Sequence, residues 1–154
     1  MSNKKAIALV LATALAVPAE GLRQKAYKDP VGIPTVCFGS TKGVKMGDFL
    51  TMDECKALLT KEMMDVINTV DRCQPGLPTE VLAAFSDAAY NLGATIACDT
   101  SESAAARLLK AKDYKGGCLQ LTRWDKARVA GVMVALPGLT KRRAMERDLC
   151  LSGL

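Results

Sequence analysis

The chain has 154 residues, with 21 Lys plus Arg against 16 Asp plus Glu, six Cys and no His. The length suits one domain, with room for two lobes. Lacking any imidazole, it is excluded from Ser-His-Asp and Cys-His hydrolysis and nearly so from His-ligated zinc hydrolysis, which leaves carboxylates as acid and base near neutral pH.

Lys4 and Lys5 are the only charges in residues 1–19, and Ala6–Ala19 then runs uncharged with Thr13 as its one polar side chain. The run has no hydrophilic face, unlike an amphipathic surface helix. It is shorter than the roughly 20 residues of an ordinary membrane span and suits the core of an export signal. Ala contributes little transfer free energy, about 25 cal/mol per Å² of apolar surface. The expectation is a weakly apolar signal-anchor segment that enters the inner membrane through residues 6–19 and later leaves it. Val17-Pro18-Ala19 offers a small residue at a cleavage site but places Pro beside it, so the sequence leaves cleavage open. The alternative is the buried first helix of a cytosolic protein. Residues 20–154 carry 19 basic and 16 acidic groups, a net of +3. That mild excess, with few aromatics, gives no expectation of a nucleic-acid partner.

Residues 27–50 hold four Gly, two Pro and the β-formers Val31, Ile33, Thr35, Val36 and Phe38. They predict a short antiparallel meander, too small to stand without helical support. Thr51-Met-Asp-Glu54 is a capping box, and Cys55, Leu58, Leu59, Met63, Val66, Ile67 and Val70 follow a helical period to about Arg72. A second helix opens near Leu77–Glu80 and stops at Gly93. Others are predicted near 103–112, 114–124 and 140–151. The fold class is α+β: a small β lobe at about 27–50 and a larger helical lobe at about 51–154, joined by a helix. Domain limits are set at 1–19 for the signal segment and 20–154 for the rest.

Cys37, Cys55, Cys73, Cys98, Cys118 and Cys150 are dispersed, with no CxxC pair. An even, dispersed set is expected to form disulfides in an oxidising compartment, and the sequence leaves all 15 pairings open. No metal site and no cofactor are expected.

Chemistry concentrates in Glu20–Gly39, where a helix end, a Gly-rich turn and a strand bring together two carboxylates and a hydroxyl. Glycosidic hydrolysis needs two such carboxylates, one to protonate the leaving oxygen and one to guide water or attack the sugar. Sixteen carboxylates offer many chance pairs, and the wider pattern singles this one out. Glu20, Asp29 nine residues later and Thr35 six after that, with Arg23, Tyr27, Gly32 and Gly39, resemble the signature of the phage-type lysozymes, glycoside hydrolase family 24. The similarity continues in Ala88–Gly93, Arg123-Trp124 and Gly138–Glu146, and it is strongest to exported members with a signal-anchor-release segment. It implies a lysozyme-like fold and cleavage of the β-1,4 bond between N-acetylmuramic acid and N-acetylglucosamine in peptidoglycan, for host lysis. By that resemblance Glu20 is the general acid, Asp29 positions or activates water, and Thr35 helps hold it, along an inverting route. Tyr27, Gly39, Tyr90 and Asn91 are expected at the substrate, and Arg142 or Arg143 beside Glu20. Trp124 and Phe85 read as core. Two departures stand out: Cys37 where many relatives have Gly, and Ala127–Pro137 without the Gly-Gly pair of many relatives.

With Glu20 directly after the apolar run, a tethered form is expected to be inactive, as a monomer held at the inner membrane and then freed in the host periplasm. No Cys precedes Cys37, so depolarisation rather than a membrane thiol is the expected trigger. The rivals are a lytic transglycosylase forming 1,6-anhydro products, an inactive wall-binding module, and an exported peptidase or amidase, the last disfavoured by the missing His.

Overall fold

The computed structural model describes Met1–Leu154. Helix α1 (Asn3–Glu20) starts at the Ser2 cap, whose hydroxyl accepts the Lys5 amide, and ends where Gly21 turns at φ 69°. Thr13 returns its hydroxyl to the Leu9 carbonyl, so the one polar side chain of the run is satisfied within the helix. Ala8, Ala12 and Ala16, four residues apart, form a fully buried stripe. These small side chains let α1 pack against α3 (Thr79–Leu92) and α2 (Met52–Cys73). Ile7, Val10 and Val17 face outward, so the exposed side is apolar too. Lys5 reaches α2, donating to Asn68 at 3.0 Å and lying 3.4 Å from Asp71.

The β lobe is an antiparallel hairpin of β1 (Arg23–Lys28) and β2 (Pro34–Cys37), with Tyr27 opposite Thr35. The returning chain adds backbone hydrogen bonds from Ala26 to Asp48 and from Leu50 to Gln24, completing the meander. Strand β1 begins four residues before the expected limit, because Gly21 ends α1 and the chain turns directly into extended backbone. Val36, Cys37 and Phe38 are buried in the common core, so the lobe does lean on the helices. Cys37 holds φ at 60°, in the left-handed region where Gly is unstrained, and is tied to Cys55 on α2.

Helix α2 has the full Thr51–Glu54 capping box and runs to Cys73. Helix α3 is followed by the short α4 (Thr95–Cys98), α5 (Ala104–Lys110), α6 (Tyr114–Gln120) and a 3₁₀ turn at Leu121–Arg123. Helix α7 (Pro137–Ser152) packs on α3 and closes the lobe. Before it stands a hairpin outside the sequence expectation: β3 (Lys126–Val129) and β4 (Val132–Ala135), joined at Ala130-Gly131. Both turn residues have positive φ, 49° and 82°, as a two-residue hairpin turn requires. The six Cys form three bridges, Cys37–Cys55, Cys73–Cys98 and Cys118–Cys150. No helix is long and apolar enough to cross a membrane. No cluster of His, Cys, Asp or Glu could hold a metal ion.

Candidate active site

Glu20 is the last residue of α1, and Gly21 turns the chain away so that its side chain faces the seam between the lobes. From the helical lobe, Arg142 on α7 donates from Nη1 to Glu20 Oε1 at 2.6 Å. From the β lobe, Gly39 closes against the same carboxyl: a Cβ built on Gly39 would lie 2.9 Å from Glu20 Oε2. Gly39 also holds φ at 87°, so its lack of a side chain serves both backbone and contact.

Of the two expected arginines, Arg142 meets Glu20 and Arg143 does not. Successive helical residues are about 100° apart, so only one can face the seam. Arg143 turns into the lobe and bonds Glu146, its Nη2 lying 2.6 Å from Oε1. Arg142 is held by a bidentate pair with Asp87 of α3, Nε to Oδ2 at 3.0 Å and Nη2 to Oδ1 at 2.8 Å. Burial works against the Arg142 charge, but Asp87 and then Glu20 outweigh it and keep the guanidinium protonated.

Tyr90 on α3 crosses the seam, donating from its hydroxyl to the Phe38 carbonyl at 2.9 Å. Burial, and then the charges of Glu62 and Glu20, push its phenol above the ordinary range, so it stays a donor. Beside it Ser40 bonds the Glu62 carboxylate. One hollow of about 330 Å³ is lined by Ala19, Glu20, Asn91, Leu136, Gly138, Leu139 and Arg142. A second, of about 290 Å³, lies past Gly39 and Tyr90 and is floored by Glu62, Asp65 and Val66 of α2. Asn91 lines the first hollow, and its side-chain oxygen is buried without a protein partner.

Asp29 opens the hairpin turn and Thr35 lies on β2, and neither forms a hydrogen bond with Glu20. Both hold Ile33, from its two sides: Asp29 Oδ1 accepts the amides of Val31 and Ile33, and Thr35 Oγ1 donates to the Ile33 carbonyl. Tyr27 lies under the Arg23 guanidinium, 4.5 Å from ring centroid to carbon. Phe85 is fully buried and Trp124 packs on the core, as expected of both.

Glu20 at the end of the first helix and Arg142 from the last helix meet at the seam, and the hairpin that carries Asp29 and Thr35 belongs to the lobe on the other side. The phage lysozyme family model matches residues 18–146, which span that whole arrangement. The chain belongs to the phage lysozyme family. This phage lysozyme is 39% identical over 136 residues to the SAR-endolysin of Bacteriophage PS119, covering 87% of this chain and 77% of that one. It is 36% identical over 152 residues to the SAR-endolysin of Pseudomonas phage phiKMV, covering 97% and 92%. Among solved structures, the active form of the P1 phage endolysin Lyz superposes with a TM-score of 0.80 at 25% identity, over 93% of this chain and 84% of that one.

The residues absent from the sequence expectation are Asp87, Glu146, Ser40 and Glu62. Asp87 carried a legible signal, an Asp inside the apolar run Val81–Ala89, where a charge must find a buried partner. Glu146 stands three and four residues after the arginines, the spacing of helical ion pairs.

Proposed function

We propose that this phage lysozyme is an endolysin that hydrolyses the β-1,4 bond between N-acetylmuramic acid and N-acetylglucosamine in peptidoglycan, with Glu20 as general acid. The observation that carries the reading is the placement of Glu20. It is a carboxyl 20% exposed, fixed between Arg142 and Gly39 and opening on a hollow lined by Ala19, Leu136 and Leu139. A fixed acid in a partly apolar cleft can hand a proton to a glycosidic oxygen. Asp29, with Oδ1 committed to two amides, keeps Oδ2 for the attacking water, and the Thr35 turn fixes that oxygen's position. The route is inverting. Asn91 lines the hollow beside Glu20 and is expected to meet the sugar there. Purified Glu20→Gln is expected to fold and to lose wall hydrolysis; full activity in that variant overturns the assignment. Mass analysis of the fragments should find reducing ends, whereas 1,6-anhydro termini would make the enzyme a transglycosylase.

The enzyme is exported and initially tethered to the inner membrane through residues 6–19, then freed in the host periplasm as a monomer. Three features support this: the Lys4-Lys5 start, the likeness to SAR-endolysins, and an α1 that is apolar on its outward face as well as its inward one. A segment with no polar face suits two environments in turn. In the tethered state Ala8, Ala12 and Ala16 leave the core, and Glu20 leaves Arg142 and Gly39, so activity waits on release. Finding only a processed species beginning near Glu20 in the exported fraction would overturn the tether.

A further inference from the structure

We propose that Asp87 is a positioning residue for catalysis, aiming Arg142 at Glu20 and cancelling that guanidinium's charge so that Glu20 can hold the proton it donates. The proposal rests on Glu20 being the general acid. A lone guanidinium at 2.6 Å would favour the ionised carboxylate and work against a proton donor. Here Asp87, with no exposed surface, takes two of the three guanidinium nitrogens, leaving Nη1 alone to steer Glu20.

The charge count around the pair gives the same answer. Two guanidiniums, Arg142 and Arg143, face three carboxyls, Glu20, Asp87 and Glu146. Glu146 Oε1 is 3.8 Å from Arg142 Nε, and its Oε2 is 2.6 Å from Arg143 Nε. Arg142 is 5% exposed and Asp87, Arg143 and Glu146 are sealed, a setting in which a surplus charge is costly. Three carboxyls balance two guanidiniums only when one of the three keeps a proton. Burial, and then Asp87, pushes Glu146 toward holding one. Glu20 alone of the three opens on the cleft, so only its proton can reach a bound sugar. Without the Asp87 charge, two carboxylates meet two guanidiniums and no proton is required.

The other groups facing Glu20 do not reverse this. From α3, Tyr90 presents a neutral phenol; Glu62 of α2 stands beyond it beside Ser40; and the β lobe offers the Gly39 backbone. Asp87 lies in the middle of α3, where an Asp is a poor helix former, and both its oxygens accept from Arg142.

The test is the pH profile of peptidoglycan hydrolysis by the purified full chain, with near-UV circular dichroism to establish folding. Asp87→Asn is expected to move the alkaline limb down by about one to two pH units, as an uncompensated guanidinium holds Glu20 ionised. Arg142→Gln is expected to move the same limb up, with a lower plateau because Glu20 is no longer aimed. If one variant fails to fold, the other decides by its own direction of shift. A limb that stays at the wild-type pH in a folded variant, with activity merely scaled, makes Asp87 structural only and overturns the proposal. Glu20→Gln separates the two readings. Activity there removes the general acid itself, whereas an inactive Glu20→Gln beside an unmoved limb removes only the role of Asp87.

Discussion

At Gly39 two requirements meet in one residue. The backbone needs φ of 87°, and the Glu20 carboxyl occupies the space in which any side chain would begin. Adding a methyl group therefore strains the turn, by about 1 kcal/mol, and displaces the acid. Displacements of this kind cost far more in rate than in stability, since near-attack geometry tolerates little error. Gly39→Ala is expected to melt within a few degrees of the wild type while its kcat for wall hydrolysis falls by about tenfold or more; equal rates would show that Glu20 is not held there during turnover. Cys37, two residues earlier, also sits at positive φ, but burial and its bridge to Cys55 hold it in place. Gly39, Glu20 and Arg142 were legible through the resemblance to the phage-type lysozymes, which implied Glu20 as the acid, Gly39 at the substrate and Arg142 or Arg143 beside Glu20. Asp87 was not among those expectations, although its place inside the apolar run of α3 called for a buried partner; that the partner is Arg142, 55 residues on, is settled only by the fold.

Among the elements, α1 is the one that the proposed tether would place in two environments. Ala12 is fully buried, four residues from Ala8 and from Ala16, and the helix approaches α3 through that stripe. Ala12→Leu pushes the balance the wrong way on both sides. It overpacks the folded core by about 1–3 kcal/mol and adds apolar surface for the bilayer at about 0.8 kcal/mol per methylene. Expected is a larger membrane-bound fraction and delayed lysis, read by fractionation and culture turbidity; unchanged partitioning would argue against a releasable anchor. Helices were readable wherever a cap and a period agreed, as at Thr51–Glu54 ahead of α2. The β3–β4 hairpin was not. Both its faces are exposed, so Val129, Val132, Met133 and Val134 give no alternation of apolar and polar residues. Only Ala130-Gly131 marked its turn, and Ala is an uncommon residue at positive φ.

Across the whole molecule, three bridges fasten the parts that packing alone leaves loosely joined. Cys37–Cys55 ties the β lobe to α2, Cys73–Cys98 ties α2 to α4, and Cys118–Cys150 ties α6 to α7. They close separations of 18, 25 and 32 residues, for which chain entropy gives about 3–4 kcal/mol each. Replacing any one pair by Ser is expected to lower unfolding free energy by about 2–4 kcal/mol in urea titration, and reductant should abolish that difference between wild type and variant. The number of thiols was readable from the sequence, their partners were not, since pairing depends on tertiary approach. The pairing that forms is strictly consecutive, each Cys joined to the next one in the chain. For a polypeptide emerging across a membrane in chain order, every odd thiol therefore meets its proper mate as the first newcomer, and an oxidase joining neighbours in order of arrival builds the native set without reshuffling.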